Sequence, residues 1–149
     1  TATPKRRIKT SSIHHLAPGY RVKALVVDDV KENRDVLSHL LKDIGVDILE
    51  AENGEEGVEK TKAHQPNIVF MDMRMPIMQG DEALKIIREE HDHIKVVAIT
   101  ASALDRRREH YLGMGFHEYI SKPFKEEEIF NCLNVLLDVE FIYEDERYL

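Results

Sequence analysis

Five short apolar runs alternate with amphipathic helical patterns from Val22 onward, and this alternation is the feature that most constrains the fold. Short apolar runs bounded by turn residues are typical of buried strands. Strict alternation of strands and helices indicates a parallel sheet that helices cover on both faces, joined by right-handed crossovers. The sequence therefore predicts an α/β fold with a doubly wound five-stranded parallel sheet. Its strands are the runs VKALVV, VDILEA, NIVFMD, IKVVAIT and EYIS.

The patterns between these runs give the predicted helices. The first helix ends at Gly45, the second runs from Glu55 to Ala63, and the fourth runs from about Leu104 to Leu112. The third follows the loop after NIVFMD, and the fifth covers KEEEIFNCLNVLLDV. Apolar residues spaced for one helical face are predicted to point inward. In the first helix they are Val36, Leu37, Leu40, Leu41 and Ile44.

Both ends of the chain lie outside the alternating pattern. Residues 1–21 are predicted to be a basic linker or arm, residues 22–138 the domain, and residues 139–149 an acidic-aromatic tail. The net charge is −7 and residues 1–23 contribute +6, which leaves −13 on the rest and argues against nucleic-acid binding by the domain.

The sequence also bears on location and redox chemistry. No apolar run is long enough to span a bilayer and no signal-peptide pattern opens the chain, so we expect no membrane contact by the domain and a cytoplasmic location. The single cysteine, Cys132, excludes an internal disulfide and is predicted to be a small core residue.

Polar residues stand at the ends of four predicted strands. Because the carboxyl ends of parallel strands share one edge of a sheet, we expect these side chains to converge. Three carboxylates in one small space repel each other unless a cation joins them, and a partly hydrated Mg²⁺ suits such oxygen ligands. Neither His nor Cys follows these strands, which disfavours zinc or copper. The converging residues are Asp28, Asp29, Asp72, Thr100 and Lys122.

Three roles are open to Asp72 from its position: a helix cap, a metal ligand or a nucleophile. A carboxylate, a hydroxyl, an ammonium and Mg²⁺ together are the equipment for phosphoryl transfer. In that chemistry Asp72 attacks phosphorus, Mg²⁺ takes one phosphoryl oxygen, Lys122 a second, and the Thr100 hydroxyl with a loop N–H the third. More ordinary roles also exist, with Asp28 and Asp29 as helix N-caps and Thr100 as a strand former.

The fragments LVVDD, MDMRMP-x-M-x-G, AITA and YISKPF, in this order at the strand ends, resemble the motifs of response regulator receiver domains, the CheY-like phosphoacceptors of two-component signalling. The resemblance covers about residues 22–138 and implies the flavodoxin-like strand order 2-1-3-4-5. It implies that Asp72 is phosphorylated and that Asp29, Asp72 and the backbone carbonyl of Arg74 bind Mg²⁺. Asp28 would act largely through water.

The same resemblance assigns the remaining roles. Thr100 and Lys122 would hold the phosphoryl group, and Tyr119 would be the rotating aromatic switch. A purely structural role is the alternative for a half-buried tyrosine. The Lys122-Pro123 peptide is expected to be cis.

The segment IHHLAPGYRVKALVVDDVKENRDVL resembles the junction between the ATP-binding domain and the receiver of hybrid histidine kinases. The chain begins at Thr1 and not at methionine, which is expected of a piece of a longer protein. The predicted function is a phosphoacceptor in a phosphorelay, within a hybrid histidine kinase, with a stand-alone response regulator as the alternative. The domain itself is expected to carry out only its own phosphorylation and dephosphorylation, whereas the parent protein is expected to be a kinase.

Expected partners follow from the same resemblance. They are the dimerisation and phosphotransfer domain of a histidine kinase or a histidine phosphotransfer protein. A partner surface for an acidic protein or a second copy of the domain is predicted at Arg106, Arg107 and Arg108.

Two rival functions are disfavoured, the first by the order of the motifs and the second by the acidic residues present. Haloacid-dehalogenase-like phosphatases also use an aspartyl phosphate and Mg²⁺, but they carry a D-x-D motif first and their acidic pair last. Here the acidic pair comes first, and Asp72-Met73-Arg74 lacks a second acid. A pseudo-receiver, a purely structural interaction module, is disfavoured by the complete acidic set.

Overall fold

The computed structural model describes residues 13–101 and 108–143, which form seven strands and five helices. The strands are β1 (Ile13–Leu16), β2 (Lys23–Val27), β3 (Asp47–Ala51), β4 (Ile68–Met71), β5 (Lys95–Thr100), β6 (Glu118–Ser121) and β7 (Phe141–Tyr143). The helices are α1 (Lys31–Asp43), α2 (Gly54–His64), α3 (Gly80–Glu90), α4 (Arg108–Met114) and α5 (Glu126–Leu137). Within the described ranges, no helix is both long and apolar enough to cross a membrane.

The five predicted strands form one parallel sheet in the order β3-β2-β4-β5-β6. Counted among themselves, these strands have the order 2-1-3-4-5, so the predicted fold and strand order are confirmed. The strands end in register, because Val27 of β2 pairs with Ala51 of β3 on one side and Met71 of β4 on the other. Residues that follow different strands therefore meet at a single edge.

Helices cover both faces of the sheet, and alternate strand residues point to opposite faces. In β5, Val97 and Ile99 belong to the apolar cluster under α1 and α5, whereas Val96 and Ala98 belong to the cluster under α2, α3 and α4. This burial on two sides explains why the strands are continuous apolar runs and do not alternate with polar residues. Cys132 of α5 is a core residue as predicted, and burial raises the pKa of its thiol to about 12.

The inward face predicted for the first helix is correct for Leu37, Leu41 and Ile44, which are buried. It is wrong for Val36, which is 59% exposed. Consecutive helical residues are about 100° apart around the axis, so a helix that buries Leu37 and Leu41 turns Val36 toward solvent. Val36 therefore contributes an apolar surface on α1 and not a core contact.

Two helix starts have local causes. The Asn53 side chain accepts a hydrogen bond from the N–H of Glu56 at 2.9 Å, which caps the first turn of α2 close to the predicted start. The Glu128 carboxylate accepts the N–H of Lys125 at 2.9 Å at the start of α5. The predicted start of the fourth helix at Leu104 lies outside the described residues.

The terminal strands β1 and β7 pair with each other in an antiparallel two-stranded sheet, which we call the terminal sheet. Leu16 pairs with Phe141, and both side chains are buried in the cluster under α1 and α5. Backbone hydrogen bonds from Leu16 N–H to Ile44 O and from Ala17 N–H to Glu140 O, each 2.9 Å, fix the sheet to the domain. The sequence pattern does not predict this pairing, since it places β1 in the arm and β7 in the tail. The domain bounds 22–138 stay a prediction.

Candidate functional site

The residues that follow the strands meet at one edge of the sheet, as the parallel topology requires. Lys122 Nζ lies 2.7 Å from Asp28 Oδ2 and 3.4 Å from Asp72 Oδ2, so the ammonium group bridges two carboxylates. Thr100 is buried at the end of β5, and its backbone carbonyl accepts the N–H of Lys122 at 3.0 Å. The structure thus brings Asp28, Asp72, Thr100 and Lys122 to a single edge.

Asp28 is 5% exposed, and each of its polar groups has a partner. Its N–H donates to the Ala51 carbonyl at 3.1 Å, and its carbonyl accepts from Arg34 Nη1 at 2.7 Å. Of its carboxylate oxygens, Oδ1 accepts the N–H of Val30 at 2.9 Å and Oδ2 accepts from Lys122. The N-cap position of α1 is occupied by Val30, so the structure does not support a helix-cap role for the acids.

Arg34 is the site residue that the sequence patterns do not single out. Its side chain is 8% exposed, and besides the Asp28 carbonyl it contacts Glu50 Oε1 at 3.2 Å and Glu52 Oε1 at 3.5 Å. In the sequence it is one of several charged residues in KENRD, and no local signal separates it from a solvated arginine. Its partners lie at and just after the ends of β2 and β3, so only the folded chain shows its position.

Asp29 differs from Asp28 because its side chain is exposed and makes no hydrogen bond within the described residues. One carboxylate oxygen from each of Asp28, Asp29 and Asp72 lies within 4.8 Å of the other two. Three carboxylates without a His or Cys are the donor set of hard divalent cations. The three aspartates therefore form a group that could hold such an ion.

The charges at this edge are unequal in number and partly buried. Burial raises the pKa of Asp72 and the charge of Asp28 raises it further, although Lys122 opposes both effects. Burial alone would lower the pKa of Lys122, but its hydrogen bond to Asp28 and the charges of both aspartates outweigh burial and raise it. Lys122 thus keeps its positive charge, but one positive charge does not neutralise the three aspartates. A second cation is therefore favoured beside them.

The loop between β4 and α3 carries Asp72 and is held by two close glycine contacts. A Cβ on Gly80 would lie 2.3 Å from the Asp72 carbonyl oxygen, and a Cβ on Gly54 would lie 2.4 Å from the Met78 carbonyl oxygen. Gly80 does not have a positive φ, so glycine is needed here because two backbones approach closely and not because of an unusual turn. These contacts fix the loop that presents Asp72.

Two further predicted residues make no contact with the carboxylates. Arg74 is exposed, and its side chain makes no hydrogen bond or ion pair with the part of the chain that the structure describes. Tyr119 of β6 stacks on Tyr111 of α4, with ring centroids 4.4 Å apart and 4° between the planes. The Tyr119 hydroxyl is buried and has no hydrogen-bond partner among the described residues. The Lys122-Pro123 peptide is cis, as predicted.

Of the three arginines predicted to form a partner surface, the structure describes only Arg108. Its guanidinium contacts both carboxylate oxygens of Glu118, with Nε to Oε1 at 2.5 Å and Nη2 to Oε2 at 3.2 Å. Arg106 and Arg107 lie outside the described residues. The predicted surface therefore stays a prediction, and the one arginine in view already has an acidic partner.

A family model of the response regulator receiver domain matches residues 24–134. The chain belongs to this family. The matched range of the receiver domain includes the three aspartates, Thr100 and Lys122, so the resemblance predicted from the four motifs is confirmed.

Curated relatives of the receiver domain include signal transduction histidine kinases. It is 34% identical over 126 residues to hybrid signal transduction histidine kinase F of Dictyostelium discoideum, a match that covers 80% of this chain and 11% of that protein. It is 32% identical over 111 residues to the signal transduction histidine-protein kinase BarA of Escherichia coli (strain K12), covering 73% of this chain and 12% of that protein. The chain thus spans about a tenth of the length of these relatives.

Solved structures with the same fold include two complexes. The CheX-CheY-BeF3-Mg+2 complex from Borrelia burgdorferi matches with a TM-score of 0.73 and 28% identity, covering 80% of this chain and 91% of that chain. The co-crystal structure of the Saccharomyces cerevisiae histidine phosphotransfer signaling protein Ypd1 and the receiver domain of Ssk1 matches with a TM-score of 0.70 and 25% identity, covering 76% and 87%. The chain is a receiver domain of two-component phosphorelay signalling, homologous to the receivers of hybrid histidine kinases.

Proposed function

We propose that Asp72 of this receiver domain accepts a phosphoryl group from a phosphohistidine, with Mg²⁺ held by the neighbouring acids. The observation that supports this most directly is the juxtaposition of three aspartate carboxylates with the Lys122 ammonium. Phosphoryl transfer depends mainly on positioning and on neutralising charge at the phosphoryl oxygens. Both kinds of group, acids for a metal ion and a fixed cation, surround Asp72.

In the proposed transfer, Oδ2 of Asp72 attacks phosphorus while the bond from phosphorus to the donor imidazole nitrogen breaks. The bonding electrons stay on that nitrogen, and an acyl phosphate forms on Asp72. Oδ1 is the less available oxygen because it accepts the N–H of Met73 at 2.8 Å, whereas Oδ2 has only a 3.4 Å contact with Lys122. Lys122 then donates to one phosphoryl oxygen and the Thr100 hydroxyl to another.

Asp29, Asp72 and the backbone carbonyl of Arg74 are the groups that we propose as Mg²⁺ ligands, with Asp28 acting through water. This division agrees with the hydrogen bonds, since Asp28 is held on all sides and the Asp29 carboxylate is exposed and without a hydrogen bond among the described residues. When bound, the ion neutralises charge on a phosphoryl oxygen. The donors are all oxygen atoms, which suits Mg²⁺.

The proposed function is tested with acetyl phosphate as a small phosphodonor. In the presence of Mg²⁺ we expect an acyl phosphate that maps to Asp72, and in EDTA we expect its rate of formation to fall by about 10²–10³-fold, the loss usual when one electrostatic stabiliser is removed. Equal rates in EDTA, or a phosphate mapped to another residue, would contradict the proposal. Catalytic turnover of a phosphate monoester would instead favour a phosphatase.

We propose that the donor protein is a histidine phosphotransfer protein or the phosphotransfer domain of a histidine kinase. Support comes from the neighbouring structure that contains Ypd1 with a receiver domain. The connections that carry the acids also expose apolar side chains, with Ile77 between β4 and α3 at 75% and Val30 between β2 and α1 at 42% exposure. Ile77 has a φ of 71°, which is strained for a β-branched residue, so the loop holds this side chain outward against a local cost. Exposed apolar side chains in the same connections as the acids suit docking of a protein donor.

We also propose that the chain is part of a hybrid histidine kinase. The curated relatives are much longer proteins of which the match covers only a small part, for example 11% of the Dictyostelium kinase. A stand-alone response regulator is the alternative. The homodimer and the cytoplasmic location stay predictions.

We propose that Thr100 and Tyr119 transmit phosphorylation to the surface formed by α4 and β6. A phosphoryl group adds about two negative charges and offers the Thr100 hydroxyl a strong acceptor. The stacked pair of Tyr119 and Tyr111 lies on the path from that edge to α4. Thr100→Ala is expected to leave Asp72 able to take phosphate but to abolish the change in partner affinity that beryllofluoride, a phosphoryl mimic, produces in the wild type. A wild-type response in Thr100→Ala would refute the coupling.

A further inference from the structure

The buried guanidinium of Arg34 donates a hydrogen bond to a backbone carbonyl of the acid pair. Nη1 lies 2.7 Å from the carbonyl oxygen of Asp28. That carbonyl belongs to the peptide unit that joins Asp28 to Asp29. The orientation of this peptide unit decides the direction in which the Asp29 side chain leaves the backbone.

The other two contacts of Arg34 connect the acid pair to β3. Nε donates to Glu50 and Nη2 to Glu52, two residues that stand on either side of Ala51. The Ala51 carbonyl in turn accepts the N–H of Asp28 at 3.1 Å. The planar guanidinium thus spans the ends of β2 and β3, which a flexible ammonium with a single nitrogen cannot do.

The partner Glu50 is itself held in place. Its Oε2 accepts the hydroxyl of Ser38 at 3.1 Å, and its backbone carbonyl accepts from Lys60. Burying an ion pair is weak as a source of stability, since well-packed apolar residues often replace such pairs at no cost. Stability therefore does not explain why Arg34 is buried here. Its contacts instead fix the backbone of the Asp28-Asp29 pair.

We infer that Arg34 is a positioning residue for the metal site, which orients the Asp28-Asp29 peptide so that the exposed Asp29 carboxylate faces Asp72. The inference rests on the proposed function, because it assigns Arg34 a role toward the Mg²⁺ that the three aspartates would hold. Asp29 depends on this support, since its own side chain makes no hydrogen bond within the described residues. Among the described residues, Arg34 makes no hydrogen bond to the three aspartate carboxylates, so its effect would pass through the backbone.

Removing Arg34 has two opposite effects on the affinity for Mg²⁺, so the direction of the measured change distinguishes between them. Loss of a positive charge near three carboxylates would tighten Mg²⁺ binding, but Glu50 and Glu52 already offset that charge. Loss of orientation would weaken binding. Groups that orient metal ligands typically change metal affinity by 10–100-fold, so we expect weakening by about tenfold in Arg34→Met.

The experiment measures the Mg²⁺ dissociation constant by calorimetry and by amide NMR shifts in wild type, Arg34→Met, Arg34→Lys and Ser38→Ala. Arg34→Met is expected to bind about tenfold more weakly. Its rate of phosphorylation by acetyl phosphate should approach wild type at saturating Mg²⁺, a split that a merely loosened fold would not produce. Arg34→Lys keeps the positive charge but loses the planar guanidinium with its several N–H donors. Its affinity for Mg²⁺ should fall several-fold. Ser38→Ala loses a buried hydrogen bond to Glu50 and keeps the Asp28 contact, so its affinity should stay within about twofold.

The outcomes separate the two levels of the proposal. A wild type that binds no Mg²⁺ refutes the proposed function before the variants are compared. A wild type that binds Mg²⁺ while Arg34→Met binds equally or more tightly refutes the positioning role alone. If Arg34→Met is unfolded in urea titrations, Arg34→Lys decides, and wild-type affinity in that variant overturns the inference.

Discussion

The Asp72→Asn variant is expected to accept no phosphoryl group from acetyl phosphate and, in EDTA at neutral pH, to resist unfolding better than the wild type. The loss of phosphorylation follows because an amide is a far weaker nucleophile than a carboxylate. The gain in stability follows because Asp72 is partly buried beside Asp28, and burial together with that charge raises its pKa. At neutral pH the ionised carboxylate of Asp72 therefore destabilises the folded chain relative to a neutral side chain.

The pH dependence of this gain has a definite sign. A carboxyl group whose pKa is raised on folding contributes stability that is present below the unfolded pKa of about 3.9 and is lost as pH rises through the folded pKa. An asparagine does not ionise, so the advantage of Asp72→Asn should grow from about pH 4 upward and level off above the folded pKa. We expect about 0.5–2 kcal/mol at pH 7, the usual gain when a functional compromise is relieved. Urea unfolding in EDTA at pH 4 and pH 7 measures it.

Asp47→Asn provides the control, because Asp47 is exposed at the start of β3, at the end of the sheet opposite to the acids. It should be phosphorylated like wild type and show no gain in stability. Mg²⁺ should stabilise wild type more than Asp72→Asn, since the proposed metal site includes the carboxylate that the variant lacks. A variant less stable than wild type in EDTA at pH 7 would show that the carboxylate is not a strained group.

The part of the site that the sequence predicts is the part that topology dictates. Strands that run parallel bring their carboxyl ends to one edge whatever the intervening helices contain, so the positions of Asp28, Asp72, Thr100 and Lys122 follow from counting strand ends. The order of the strands comes from the family resemblance and not from the residues. The positions inferred from the strand ends and the strand order implied by the resemblance both agree with the structure.

The features that the sequence does not predict depend on contacts between distant residues. Buried Arg34 contacts Glu50 and Glu52, which lie 16 and 18 residues further along the chain, at and just after the end of β3. In the sequence, Gly80 is typical of a turn. In the structure, glycine is needed there because a Cβ would clash with the Asp72 carbonyl oxygen. Val36 fits an apolar helical face in the sequence, and a rotation of one residue around the axis exposes it.

The terminal sheet has the weakest sequence signal of any element. Its strands have four and three residues and lie at opposite ends of the described chain, so neither could be recognised from a local pattern. Ile13, Leu16, Phe141 and Tyr143 are apolar or aromatic, but an apolar pattern over three or four residues is too short to predict a strand. In the folded chain these two strands pair, and Phe141 and Leu16 are buried in the core under α1 and α5.

Phe141→Ala is expected to lower the free energy of unfolding by about 3 kcal/mol, because removing a buried phenyl ring leaves a cavity among Leu16, Phe130 and their neighbours. Urea unfolding measures the loss. Ile142→Ala is the control, since the neighbouring side chain is half-buried and outside that cluster, and we expect a loss below about 1 kcal/mol. If the terminal residues were a solvated tail, both variants would be as stable as wild type.

A double-mutant cycle tests whether β1 and β7 stabilise the domain as one unit. Leu16 and Phe141 are partners in register, so the loss in the Leu16→Ala, Phe141→Ala double variant should be smaller than the sum of the single losses by about 0.5–3 kcal/mol. The terminal sheet packs near the end of α1, at the amino end of the sheet, whereas the acids lie at the carboxyl end. Folded fractions of all three variants should therefore take phosphate from acetyl phosphate at the wild-type rate. Strict additivity would show that the two ends of the chain contribute separately, and a lowered rate in the folded fraction would show that the terminal sheet also acts on the site.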